Sequence, residues 1–430
     1  MTKKLSHFSS RSRVNCFDLI ILANGPGEVT TWVRPVVKAL RQELGLDCDR
    51  LRISTILSPC PHSTGTEAEI AASYREVDRV LGAEAFFSFL LWGKTPDNWD
   101  WRSQGMVLFL GGDQFYTLAI AKRLGYQSLI YAEWDARWYR WIDRFAAMNE
   151  AVVNKIPVTY RHKFTIVGDL MADVVLEVDP DVNNLDTSKQ IGLLVGSKPA
   201  KLTQGVPLCL AIAEYLQKQR QDLQFTIFVA PTLNLDAIAH YADAQKNPLI
   251  DRTWQVSGKI VMPTTAAEKP YLITSGGTKI QLITKFPAYQ ELTRCHICLT
   301  TVGANTAELG SLGIPAIVLL PTQQLDAMRS WNGIPGILAN LPGIGTIFAK
   351  TINWYILRQK RLFAWPNIWA KAEIMPELVG NLQAKEVANL VLEYLDRPEK
   401  LQTMRDRLIA VRGNSGAAQK IATMINPNWI

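Results

Sequence analysis

The chain has 430 residues, a formal net charge of +7 and 48% apolar residues. One hydrophobic core seldom grows that large, so two domains are expected, and the apolar content excludes a disordered chain. The basic balance permits anionic membranes, nucleic acid or phosphorylated substrates as partners and selects none of them.

Residues 1–15 read as a flexible basic arm. "MTKKLSHFSSRSRVNC" holds no apolar h-region, so a secretory signal is not expected. Asp18 to Ala23 reads as a fully buried strand, and Val29 to Leu44 as a helix with Pro35 its main irregularity. Leu51 to Leu57 is a second strand and Thr66 to Tyr74 a second helix. "AEAFFSFLLWG" (Ala83 to Gly93) is too short to span a bilayer. Strands follow at Met106 to Leu110, Gln127 to Tyr131 and Phe164 to Val167, with a helix at Gln114 to Leu124. Apolar strands alternating with helices predict an α/β fold built on a parallel sheet.

Composition then shifts. "EVDPDVNNLDTSKQ" (Glu177 to Gln190) is polar and reads as a linker. A second alternating series follows, with strands at Ile191 to Val195, Phe225 to Val229, Lys259 to Met262, Tyr271 to Thr274, His296 to Thr300 and Ala316 to Leu320. Its helices are placed at Val206 to Gln217, Leu233 to Ala242 and Ala304 to Leu312. Ala384 to Ile425 reads as two helices broken near Pro398. The expected division is an arm at 1–15, a first Rossmann-like domain at 16–176, a linker at 177–190, a second Rossmann-like domain at 191–375 and C-terminal helices at 376–430.

Chemistry is expected where parallel strands end, because ligands of open α/β sheets bind beyond the carboxyl edge. "ANGPGE" leaves the first strand with Asn24, Gly25, Gly27 and Glu28. The glycines allow close backbone approach, but the Glu28 carboxylate would repel phosphate, which favours a neutral hydroxylated ligand. "LGGDQF" puts Asp113 between a strand and a helix, the place of a general base or of a helix cap. "LVGSK" offers Lys198 to a diphosphate. "TTVGANTAELG" ends a strand at Thr301, turns at Gly303 and starts a small-residue helix carrying Asn305, Thr306 and Glu308. Its amides can hold phosphate while Glu308 accepts from ribose hydroxyls.

Trp92, Trp99, Trp101, Trp134, Trp138 and Trp141 gather in the first half, interleaved with Arg137, Arg140 and Arg144. Such a mixture suits an interfacial surface, a stacking platform or plain core packing. Four of the six cysteines sit within or beside apolar runs, Cys295 and Cys298 read as ordinary buried thiols, and a reducing compartment fits best. An alternating strand would put Cys295 and Cys298 on opposite faces, so zinc is not expected there. The second half has no DxD run at a strand end, and "DPD" at Asp179 to Asp181 lies in the linker, so no metal or other cofactor is required. Basic residues are dispersed and no reading motif appears, so nucleic acid is not expected.

Taken in order, these motifs resemble lipid-A-disaccharide synthase and its divergent relatives, from about Leu19 to Pro398. "NGPGE" stands for the family's first glycine-rich loop, and "GGDQF" puts the family's proposed base at Asp113. "VGDLMAD" resembles "VGHPLAD" with Asp169 in place of His, and "LVGSK" resembles "LPGSR" with Lys198 in place of Arg. "TVGANTAELG" resembles "SGTATLE", placing the ribose carboxylate at Glu308. "WPN" and "PELVG" supply Asn367, Glu377 and Leu378. The resemblance implies a GT-B fold: two Rossmann-like domains facing a cleft, the donor bound mostly by the second, and C-terminal helices crossing back to the first. It implies an inverting glycosyltransferase that moves a sugar from a nucleoside-diphosphate sugar, with UDP carried over from the family, to a lipid or glycolipid acceptor. Such a protein would sit on the cytoplasmic face of a membrane, with Trp92, Trp134, Trp138, Trp141, Arg137 and Arg140 against acyl chains or an anionic surface. Asp113, or Glu28, would take the acceptor proton. The acceptor side departs most, since "GEASGD" has become "NGPGEVTTW". A UDP-sugar epimerase and a catalytically silent nucleotide-binding interaction protein are the competing readings. The sequence leaves both monomer and homodimer open.

Overall fold

The computed structural model describes residues 16–177, 189–323 and 362–425, apart from positions 46, 61, 62, 64, 264, 266 and 267. The basic arm, "DPD" and most of the expected linker lie outside the described residues. The chain divides into two compact units, Met1–Asp173 with Asn414–Ile430, and Val174–Gly413.

The first unit carries β1 (Phe17–Ala23), β2 (Leu51–Leu57), β3 (Arg79–Leu81), β4 (Gly105–Phe109), β5 (Gln127–Ala132), β6 (Arg144–Ala147) and β7 (Phe164–Ile166). They form one sheet in the order β3-β2-β1-β4-β5-β6-β7, parallel throughout. All seven residues of β1 are buried, which is why it reads as an unbroken apolar run. Leu19 and Ile21 pack on one face with Val33, Val36 and Leu40, while Ile20 and Leu22 face Phe86, Phe89 and Ile120. The irregularity expected at Pro35 lies just upstream of it. Val29–Val33 form one π-helical turn, and Pro35 sits in the first turn of the regular helix Arg34–Leu44.

The second unit carries β8 (Lys189–Leu194), β9 (Leu223–Phe228), β10 (Gly258–Val261), β11 (Tyr271–Thr274), β12 (Lys279–Ile283), β13 (Ile297–Thr301), β14 (Ala316–Pro321) and β15 (Glu377–Gly380). Their order is β10-β11-β12-β9-β8-β13-β14-β15. The pairs β10·β11 and β11·β12 are antiparallel, so this sheet is mixed where the strand pattern predicts a parallel one. The helix expected from Val206 starts about two turns earlier, at Pro199, and runs to Gln219 through Pro207. Proline is well placed at Pro199, where no intrahelical N–H is needed.

The tail holds three helices rather than two. Ala384–Asp396 and Pro398–Arg412 pack in the second unit, through Val387, Val391 and Leu395 and through Met404 and Leu408. Gly413 and Gly416, both at positive φ, then break the chain. The last helix, Ala417–Ile425, joins the first unit and packs Ile421, Ala422 and Ile425 on its core. Asp173 fixes its start by accepting from the amides of Gly416, Ala417 and Ala418.

The strand alternation invoked for the cysteines does not apply, because Cys295 precedes β13. Both sulfurs face Gly192, 2.5 Å (Cys298) and 3.1 Å (Cys295) from the point a Cβ there would occupy. Both are buried free thiols, and burial pushes Cys298 well above the usual thiol range.

Candidate functional site

In the first unit the carboxyl edge of the sheet gathers side chains from four strand ends. After β1 the chain turns through Asn24 and Gly25 into Pro26–Glu28. Thr31 donates to the Gly27 carbonyl at 2.7 Å and Thr30 to that of Pro26 at 2.9 Å, closing the turn. After β4, Gly111 and Gly112 press against this loop. A Cβ on Gly111 would lie 2.8 Å from Asn24 Oδ1 and 3.1 Å from Glu28 Cγ; one on Gly112, whose φ is +103°, would lie 2.5 Å from Ser58 Oγ. Only glycine fits there. The Glu28 carboxylate folds over Gly25, and burial pushes its pKa up, against its own amide and that of Gly25, with a further upward push from Glu67.

Glu133 follows β5 directly. Burial, then the charges of Asp169 and Glu28, push its carboxyl up to about 8. Asp169 follows β7 and Gly168. Burial pushes it up to about 6, although the Met171 amide donates to its Oδ1 at 2.8 Å. Glu28 and Asp169 thus both act on Glu133, and the three line one acidic ledge. Glu133 escapes the sequence reading, although it obeys the rule applied to Asp113: a carboxylate directly after a buried strand. Its setting in "YAEWDARWYRW" draws attention to aromatics instead.

Asp113 is held differently. It caps the helix Gln114–Leu124 by accepting from the Phe115 amide at 2.8 Å, and its other oxygen lies 3.6 Å from Arg137 Nη1. Its side chain is about half exposed. At the opposite edge of this sheet buried Asp18 accepts from Arg52 at 2.8 Å, from Tyr126 at 2.9 Å and from the Arg102 amide at 2.9 Å. Asp18 is matched by two cationic side chains, Arg52 and Arg102, whereas Glu28 and Asp169 at the carboxyl edge accept from backbone amides.

The expected aromatic cluster splits in two. Trp99 and Trp101 are partly buried and hold the Arg79 guanidinium 4.3 and 4.9 Å from their rings. Trp92, Trp134, Trp138 and Trp141 are exposed, as are Arg137 and Arg140. Phe115 lies 5.4 Å from Trp138, and Trp138 5.9 Å from Trp141. Phe87, Leu91 and Trp92 add exposed apolar surface on the short helix Phe86–Trp92, Trp92 being 69% exposed. Among the described residues, no helix is long and apolar enough to cross a membrane.

In the second unit the carboxyl edge of β8 and β13 is basic. Lys198 precedes the helix Pro199–Gln219, and Lys201 lies in its first turn. Gly303 starts the helix Ala304–Ser311. The Lys201 ammonium donates to the Val302 carbonyl and sits 3.3 Å from the point of a Cβ on Gly303. Thr301 is buried with its hydroxyl unpartnered among the described residues. Asn305 and Glu308 are partly buried; burial pushes Glu308 up to about 7, with a smaller opposing pull from Tyr289.

Three residues expected to meet the donor make internal bonds instead. Thr306 is buried, donates to the Gly303 carbonyl at 2.8 Å and accepts from the Trp365 amide at 3.2 Å. Asn367 is buried, donates to Met375 and Glu377 at 2.7 Å each, and accepts from Ile374 and Met375. Glu377 accepts from the amides of Phe363 and Ala364. These three clasp the segment beside β15, and Lys201, absent from the sequence expectations, stands at the turn.

No family model matches the chain. Two curated relatives are lipid-A-disaccharide synthases. That of Sulfurihydrogenibium sp. (strain YO3AOP1) is 24% identical over 288 residues, 64% of this chain and 62% of the relative. That of Nitrosococcus oceani is 21% identical over 230 residues, 53% of this chain and 45% of the relative. The match thus spans less than two thirds of either relative's length. Among solved structures, S. aureus MnaA with UDP superposes with a TM-score of 0.52 at 13% identity, covering 96% of this chain and 97% of that one. UDP-GlcNAc 2-epimerase from Neisseria meningitidis bound to UDP-GlcNAc gives 0.51 at 14% identity, covering 95% and 99%. The shared fold is GT-B, built from two Rossmann-like units with a returning C-terminal segment.

Proposed function

From this GT-B fold we propose an enzyme of UDP-sugars, in which the second unit binds the nucleotide and the first supplies proton transfer. The observation that carries the reading is the acidic ledge. Glu133 at about 8 and Asp169 at about 6 straddle neutrality, so an acid and a base coexist at one strand edge. Nucleotide binding is assigned to the amides opening the helix Ala304–Ser311, with Thr301, Gly303, Asn305 and Lys198 at the diphosphate and Glu308 at the ribose. Ionised Glu308 accepts from the two ribose hydroxyls; amides and ammonium groups offset the charge of a departing diphosphate.

Two reactions fit. Transfer to a lipid or glycolipid acceptor is favoured by exposed Trp138 and Trp141, with Arg137 and Arg140 in the same segment, and by exposed Trp92 on the helix Phe86–Trp92, which suit the face of an anionic membrane. There Asp113 or Glu28 would accept the acceptor's hydroxyl proton, and inversion follows from a single displacement. Epimerisation is favoured by the paired acid and base of the ledge, which supply both proton donor and acceptor without any second substrate. Product analysis of labelled UDP-sugars, with and without anionic lipid vesicles and membrane lipid extract, separates them. A lipid-dependent glycolipid product supports transfer; an isomeric UDP-sugar formed without lipid supports epimerisation. If calorimetry finds UDP bound but neither product forms, the chain is a silent nucleotide-binding protein.

A further inference from the structure

Two helices start at the same place in the second unit, Pro199–Gln219 after β8 and Ala304–Ser311 after β13. Their positive ends add. The first turn of each usually attracts carboxylates, yet neither holds one, and Lys201 instead lies in the first turn of the longer helix. A cation there is unfavourable unless an anion joins it.

The backbone comes close to these side chains. At Gly196, whose φ is +94°, a Cβ would lie 3.0 Å from Thr301 Oγ1 and from Lys201 Cβ and 3.2 Å from Lys201 Cδ, so only glycine lets the turn pass beside both. The Thr301 methyl faces Gly205 instead, 3.6 Å from the point of a Cβ there, so the hydroxyl is turned toward Gly196. Thr301 is 7% exposed, and its hydroxyl has no partner among the described residues. The Lys201 ammonium reaches across to Val302 and Gly303 and thereby fixes the turn that aims the second helix's amides.

We infer that Lys201, with the Thr301 hydroxyl and the amides after Gly303, is the principal cationic ligand for the diphosphate of the nucleotide, and that this makes donor binding proton-linked. The inference rests on the proposed sugar-nucleotide function for the identity of its ligand. Burial, with a smaller push from Lys198, brings the Lys201 ammonium down to about 8. The facing turn Thr301–Gly303 holds no titratable side chain, and Glu308 is the one titratable residue of the helix Ala304–Ser311. Bound phosphate stabilises the charged form, so affinity is full below pH 8 and falls as pH rises through it.

Calorimetry with UDP between about pH 7.5 and 9, where its terminal phosphate is largely ionised and its uracil ring largely neutral, reads this directly, and inorganic pyrophosphate at pH 7 serves as the sugar-free probe. Wild-type affinity for UDP should fall about tenfold per pH unit above the Lys201 pKa. Lys201→Met should bind both probes at least about tenfold more weakly at pH 7 and show no slope. Lys201→Arg, always charged, should keep affinity and lose the slope, which a merely structural lysine would not do. Lys198→Gln should keep the slope and move it to higher pH, because Lys198 repulsion is removed. Equal binding of UDP by wild type and Lys201→Met overturns the inference and leaves the sugar-nucleotide reading standing. Lys201-dependent pyrophosphate binding without UDP binding overturns that reading and keeps the anion site. Absence of binding by either probe to the wild type overturns both.

Discussion

The two units share a plan and differ in the charge at their strand ends. At the carboxyl edge of the first sheet, β1, β5 and β7 end in Glu28, Glu133 and Asp169, and burial raises all three. At the carboxyl edge of the second, β8 and β13 end at Lys198, Lys201 and two helix starts, and burial lowers Lys201. Desolvation thus drives both edges toward neutrality from opposite sides. One edge is suited to moving protons and the other to holding a polyanion, although both grew from the same strand–turn–helix unit. Local loop sequence, not fold, decides which chemistry an edge performs.

The strongest challenge to this contrast is Asp113→Asn. Asparagine caps a helix about as well as aspartate, so the fold survives. Turnover of UDP-sugar should fall by about three orders of magnitude with UDP affinity unchanged; unchanged turnover removes Asp113 from the chemistry and leaves it a cap. Glu133→Gln is the next test, with an expected loss of about a hundredfold or more in turnover. Its pH profile should lose the limb near pH 8, and a retained limb would assign that titration elsewhere. On the basic edge, Glu308→Ala should weaken UDP about tenfold by calorimetry and leave pyrophosphate binding intact, because only ribose contacts are lost. Equal affinity would remove Glu308 from the nucleotide site.

The smallest effect is on stability. The folded pKa of Glu133 lies above its unfolded value, so its contribution is fully present below about pH 4.5 and is lost as pH rises through 8. Glu133→Gln should therefore melt about 5 °C higher than wild type at pH 9 and show no difference at pH 4.5. Equal melting at both values would mean that Glu133 ionises freely and the ledge is wetter than its burial implies.

Much of this contrast is legible in the sequence, and the unread part has physical causes. β1, β2, β4 and β5 announce themselves as apolar runs because both faces are covered. β3, β6 and β15 have only three or four residues each and open on a charged residue, Arg79, Arg144 and Glu377, so they show no apolar run. The antiparallel β10–β11–β12 edge escapes because pairing direction is set by turns rather than by strand composition. Asp113, Glu28 and Gly303 stand at strand ends and are found by position. Lys201 is hidden in a helix and is found only through the atoms it touches. Asn367 and Thr306 show the reverse: their motif is visible, but hydrogen bonds to neighbouring backbone occupy their polar atoms.

The helix Ala417–Ile425, anchored by Asp173, has a consequence for biosynthesis. The first unit emerges from the ribosome without its last structural piece, which follows only after some 240 further residues have been made. Until then the apolar groove that receives Ile421 and Ile425 is uncovered. The first unit is finished last, so a chain stalled or truncated near its end would expose that groove to chaperones and proteases, even with every residue of its sheet already in place.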